Sequence, residues 1–284
     1  MPSLSGITVV DFTRQLPGPF ASRELLRLGA RVVKVEPPEG DPMPEGWYRA
    51  LNGGKEIVSW DARSGQPPPA LADADIVLEG FRPGVWERLA VDVPATAILC
   101  SITGHGADGP RARDAGHDLN YLGYAGALAD TAPAIPPVQI ADLAAGAQGA
   151  VIEVLAALLE RARTGRGSRI VVSMTHSTHR FVAHRLAGDP LPNFLTGGVA
   201  CYRIYETADG RHLTVAALEP KFWRNLCALL ERPAFVDRAF DAELPELAEL
   251  FRSRTLHHWR TLLEGKDTCA GPVLTLAEAA AELE

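Results

Sequence analysis

Three acid–base side chains stand where helices should begin. His117 lies in the stretch Gly116-His117-Asp118-Leu119-Asn120-Tyr121, Asp142 opens the apolar run ADLAAGAQGAVIEVLAALLERARTG, and Glu219 precedes Pro220 at the end of TVAAL. A histidine at a helix start is a natural general base, because the helix dipole disfavours its cation. Asp118 is itself a competent cap, so capping does not require His117, and Asn120 lies one turn further on where it can face the same way. An aspartate at Asp142 can serve as a reactive carboxylate with its anion favoured, and equally as an N-cap; local physics alone favours the cap. Glu219 is a long acid where a short one would cap, a mild sign of a task beyond capping, and Pro220 suits the first helical position.

Other clusters carry weaker chemistry. Gly104-His105-Gly106-Ala107-Asp108-Gly109 matches G-x-G-x-x-G, but Pro110 and the polar RARD follow instead of an apolar helix, so it reads as a Gly-rich loop and not a dinucleotide site. His176, His179 and His184 do not share one helical face and have no nearby carboxylate before Asp189, which argues for packed or solvated histidines and no metal. Cys100, Cys201, Cys227 and Cys269 show no ligand spacing and read as reduced, mostly buried thiols of a cytoplasmic protein.

The elements that must position these residues alternate in type. ITVVDF (7–12), RVVKVE (31–36), ADIVLEGF (74–81), TAILCSI (96–102) and SRIVVSM (168–174) read as strands; helices read over 18–30, ending at Gly29, and over 141–165, with Asp142 as N-cap and Gly165 as C-cap. That alternation predicts an α/β fold with a Rossmann-like, largely parallel sheet. From residue 188 the chain turns rich in Pro and Gly, and a hairpin turning at Ala208-Asp209-Gly210 follows, then helical pattern. The expected organisation is a large domain over 1–187, a linker over 188–199 and a small α+β domain over 200–284.

Taken in order along the chain, DFTRQLPGPFASRELLRLGARVVKVEPPEGDP, ADIVLEGFRPGVWERL, SITGHGADGPRARDAGHDLNY, ADLAAGAQGAVIEVLAALLERARTGRGSRIVVSM, GGVACYRIYETADGRHLTVAALEPKFW and DTCAGPVLTLAEA resemble the class III CoA-transferase family, the CaiB–BaiF group. Within it the likeness is greatest to the α-methylacyl-CoA racemases, because GHDLNY carries a histidine where the transferases usually have Tyr or Phe. The resemblance implies His117 as one acid/base and Asp142 as the other, with Glu219 orienting or tuning His117 in a cleft where the two domains meet. It implies a 2-methylacyl-CoA thioester as substrate, with no prosthetic group, and inversion by two-base proton transfer through an enolate. Amides at the start of the 142–165 helix would then be placed to stabilise the enolate oxygen. The transferase alternative uses Asp142 as a nucleophile that forms an acyl-aspartyl anhydride; a non-catalytic CoA-binding member is a third reading.

The same resemblance sets the nucleotide against the first domain, near Trp60, Asp61, Ala62, Arg63 and Arg82, with the loop Gly116, Asp118, Asn120 and Tyr121 close by. Two departures remove positive charge expected there: Pro37 stands where racemases often carry Arg, and Asn52-Gly53-Gly54-Lys55-Glu56 replaces a basic segment. The chain stops soon after PVLTLAEA, so the family's return to the large domain is expected to be short or missing, and its interlocked homodimer is expected with that reservation.

Over 284 residues the composition is that of a globular enzyme, with 46% hydrophobic and 22% charged residues. A net charge of −7 argues against nucleic acid or an anionic membrane as the main partner. The N-terminal segment has no charged, apolar leader pattern and no run approaches 18 apolar residues, so neither a signal peptide nor a membrane span is expected.

Overall fold

The computed structural model describes residues 2–283, and the chain divides into two compact units, Met1–His184 and Arg185–Glu284. In the first, β1 (Thr8–Asp11), α1 (Pro17–Arg27), β2 (Arg31–Glu36), α2 (Glu45–Asn52), β3 (Glu56–Ser59), β4 (Ile76–Glu79), α3 (Val85–Leu89), β5 (Ile98–Thr103), α4 (Asp118–Tyr124), α5 (Gly149–Thr164), β6 (Ser168–Ser173) and α6 (Met174–Val182) follow in order. The six strands form one parallel sheet in the order β3-β2-β1-β4-β5-β6. This is the doubly wound order, in which the strand order reverses between β1 and β4 and ligands collect beyond the carboxyl ends of the strands there.

The strand period of two divides the side chains between two cores. Val9, Ile76, Leu78, Ile98 and Cys100 pack with α1 and α5, whereas Val10, Val77 and Leu99 pack on the other face with Phe12 and Trp86. Central β1 and β4 are therefore apolar at successive positions, which is why they read as continuous runs rather than alternating ones.

The 141–165 helix differs from expectation at its start. Residues Ile140–Gln148 wind as a π-helix before α5 takes over, and the N-cap is Gln139, so Asp142 lies inside the first turn and is not the cap. Gly165 does close the helix, at φ +70. The combined segment Ile140–Thr164 is long and apolar enough to cross a membrane by length and composition, a test that a core helix also passes. Its fully buried Ala147, Ala150 and Val154 belong to the core on the α1 side of the sheet.

The second unit holds β7 (Tyr202–Glu206), β8 (His212–Ala216), α7 (Pro220–Leu229), α8 (Pro245–Arg252), α9 (Leu256–Leu263), β9 (Ala270–Pro272) and α10 (Leu276–Leu283), with the antiparallel order β7-β8-β9. Its core is built on Leu213, Val215, Trp223, Leu226, Phe251 and Trp259. Leu191 and Phe194 pack against that core, so the Pro/Gly-rich stretch 188–199 is a folded part of the second unit.

Candidate active site

Two grooves open at the carboxyl ends of the parallel strands. The first, about 480 Å³, is walled by the turns after β1 (Thr13, Arg14), β4 (Phe81, Arg82) and β5 (Gly104), and by Gly116, His117, Asn120 and Tyr121. The second, about 310 Å³, is walled by the turns after β2 (Pro37, Glu39) and β3 (Trp60, Asp61, Ala62, Arg63). Arg14 and Phe81 line both, so the two are contiguous. The arrangement suits an elongated ligand laid across the strand ends. Nothing in local composition marked Arg14; its place at the switch point, immediately after β1, is the signal that finds it.

His117 takes the N-cap position of α4 with extended backbone, φ −129, and its backbone N–H donates to Asn120 Oδ1 at 3.1 Å. Asn120 thus closes the turn on His117, as its spacing suggested. Asp118 is the first residue of α4 and not its cap. Its Oδ1 accepts instead from the backbone N–H of Asp142 at 2.9 Å, tying the two helix starts together.

Burial, and after it that neighbouring Asp118, set the electrostatics of Asp142. The residue is 8% exposed. Burial and then the neighbouring Asp118 carboxylate push its carboxyl up to about 6, with His117 drawing it down. The enolate-stabilising amides expected at this helix start are not available at two positions: the N–H of Asp142 is spent on Asp118, and that of Leu143 on Gln139 O at 2.9 Å. Asp142 is not among the residues lining the first groove, but it lies close to one that does: burial and the Asp142 carboxylate together raise the Tyr121 hydroxyl.

Tyr121 is held by its neighbours. Its hydroxyl donates to Gly116 O, and its ring packs so close to Gly104 and Gly116 that an added Cβ would meet it at 2.6 and 2.7 Å. The first glycine of the G-x-G-x-x-G stretch is therefore required by packing against Tyr121, and a loop, not a helix, follows it. His105 in that loop is buried between Tyr121 and Tyr124, with Nδ1 3.0 Å from Thr175 Oγ1, and burial lowers its pKa. His176 pairs with Ser173 Oγ and His179 with Ala125 O, and no cluster fit to hold a metal occurs among the described residues.

Glu219 lies in the second unit at the N-cap of α7, with Pro220 at the first helical position; its side chain makes no capping hydrogen bond and is exposed. Lys55, the basic residue remaining in the 52–56 segment, does not face a groove. Its Nζ is buried on Pro19 O, Ser22 Oγ and Asn52 Oδ1 at 2.9, 2.7 and 2.8 Å. Cys100, Cys201 and Cys227 are buried free thiols and Cys269 an exposed one.

Residues 4–284 match the profile of CoA-transferase family III, and the chain belongs to that family. It is 32% identical to the α-methylacyl-CoA racemase of Mus musculus over 97% of this chain and 79% of that protein. It is 26% identical to the succinyl-CoA:glutarate CoA-transferase of Homo sapiens over 98% of this chain and 73% of that one. A crystal structure of a Mycobacterium tuberculosis protein, described as a probable fatty acyl-CoA transferase, superposes with a TM-score of 0.79 at 30% identity, covering 99% of this chain and 85% of that chain. The protein is thus an enzyme of the family III transferase and racemase superfamily, with the Rossmann-like large domain of that fold.

Proposed function

We propose that the protein is an acyl-CoA racemase that inverts the 2-methyl centre of acyl-CoA thioesters by two-base proton transfer. The observation that carries this reading is the pairing of two different acid–base groups at two linked helix starts, His117 at the N-cap of α4 and Asp142 with its carboxyl raised to about 6. Inversion needs one group to take the α-proton from one face while another returns a proton to the opposite face. A carboxyl raised towards neutrality suits that exchange, because it is populated in both protonation states near working pH. In one direction Asp142 removes the proton and the imidazolium of His117 delivers one; in the other the roles reverse. The enolate oxygen takes its hydrogen bonds from donors other than the amides of Asp142 and Leu143, which are committed elsewhere. Glu219, free of capping duty, remains available for acid–base chemistry, and the protein is proposed to act as a homodimer.

The CoA portion lies along the contiguous grooves, with the nucleotide near Trp60, Asp61, Ala62 and Arg63 and the pantetheine passing Arg14 and Arg82 toward Gly116, Asp118, Asn120 and Tyr121. The transferase reading is favoured by the likeness to the succinyl-CoA:glutarate enzyme and needs only Asp142 as nucleophile. Incubating the enzyme with a 2-methylacyl-CoA in deuterated water separates the two. Racemisation with α-deuterium incorporation and no acceptor acid supports the proposal. A hydroxylamine-trapped acyl group on Asp142, with acceptor-dependent thioester exchange and no deuterium uptake, replaces it.

A further inference from the structure

The groove around Trp60 and Arg63 is poor in free positive charge. Its charged lining is Arg14, Glu36, Glu39, Asp61 and Arg63, three acids against two arginines. Arg63 is already gripped by Asp61, through Nε at 2.9 Å and Nη2 at 3.1 Å, while Glu39 adds a second negative field on the same guanidinium. The two nearby lysines, Lys34 in β2 and Lys55 just before β3, point into the core. Lys34 Nζ donates to Thr13 O at 2.7 Å, and Lys55 Nζ is spent on the Asn52, Ser22 and Pro19 contacts. Among the described residues, the groove-lining cation without a carboxylate partner is Arg14, and it stands at the junction with the first groove.

We propose that this groove does not read the 3′-phosphate of coenzyme A, so that the enzyme takes thioesters of dephospho-CoA as well as those of CoA; this rests on the CoA placement given above. A ribose 3′-phosphate adds between −1.5 and −2 charges at neutral pH. A site that selects it supplies at least one charge-assisted bond, and losing such a bond costs roughly tenfold or more in affinity. Arg63 keeps N–H donors beyond the two that Asp61 accepts, but a phosphate reaching them would lie beside the Asp61 carboxylate, which already neutralises the guanidinium. The Asp61 carboxylate would stay in place, because the backbone N–H of Arg63 also holds it, at 2.9 Å. The new attraction would then be offset by the repulsion between that carboxylate and a dianion. Arg14 at the junction instead suits the diphosphate, which both ligands share.

The test is equilibrium binding of CoA and of dephospho-CoA to the wild-type protein and to Asp61→Asn. The wild type should bind the two within about fivefold, and Asp61→Asn, which releases Arg63, should shift the ratio toward CoA by roughly threefold or more. A wild-type preference for CoA beyond about fivefold, or a ratio unmoved by Asp61→Asn, overturns the proposal. Binding of neither ligand overturns it together with the CoA reading. Binding of both without α-proton exchange leaves it standing and removes the racemase assignment alone.

Discussion

Asp11 and Asp142 are both buried aspartates at the ligand end of the same sheet, 0% and 8% exposed, and their acidities move in opposite directions. Burial pushes both up. At Asp11 the ammonium groups of Lys55 and Lys34 and the hydroxyls of Ser22 and Thr13 outweigh it, and the carboxyl ends below its usual range. Asp142 has another carboxylate, Asp118, for its nearest strong influence, and it ends near 6. Burial alone therefore does not decide what a carboxylate does; its company does. A carboxylate surrounded by cations is a fixed anion that holds the loop after β1 in place. One left with a like charge is poised to exchange protons, at a cost in stability that a purely structural residue would not carry.

The contrast breaks most severely on activity. His117→Ala and Asp142→Ala should each reduce racemisation by about 10²–10⁴-fold, read by the change in optical rotation of the acyl-CoA, whereas Asp11 should show its effect on folding. Asp11→Ala leaves Lys55 buried without its counter-charge, and thermal or urea unfolding should show a loss of about 3–5 kcal/mol. Asp142→Asn should do the reverse, stabilising the fold at pH 7 by about 1–3 kcal/mol while activity falls. Gly116→Ala sets a Cβ against the Tyr121 ring and should cost about 1–3 kcal/mol and raise KM, since it displaces a groove wall.

The smallest effect sharpens the comparison by sign. Because the folded-state pKa of Asp142 is raised, the native protein binds the extra proton between the ordinary carboxylate value and about 6. Its contribution to stability is thus fully present below the ordinary value and lost as pH rises through about 6. The stability gap between Asp142→Asn and wild type should vanish near pH 4 and open toward pH 7. For Asp11, with its pKa lowered, the contribution is present at neutral pH and lost as pH falls through the depressed value.

Much of the scaffold was legible because it depends on local pattern. The apolar strands at 31–36 and 168–174, the glycine terminators Gly29 and Gly165, and the Glu219-Pro220 helix start all follow from chain-local physics. What escaped depends on partners distant in sequence. Asp142 reads as an N-cap until the π-wound turn moves the cap to Gln139, and Asp118 reads as the cap of its own helix until it is found accepting from Asp142, 24 residues away. The 52–56 segment reads as a loss of positive charge, and the lysine that remains in it, Lys55, is claimed by three core acceptors. Arg14 gains its place only once the strand order sets the turn after β1 beside both grooves.

The central claim is that His117 and Asp142 act on opposite faces of one carbon. Its most direct test is α-proton exchange in deuterated water, measured separately on the 2R and 2S forms of a 2-methylacyl-CoA with wild type, His117→Ala and Asp142→Asn. The account predicts that the wild type exchanges and inverts both, while each variant loses inversion and retains exchange with one stereoisomer only, a different one for each. Full racemisation by His117→Ala would contradict it.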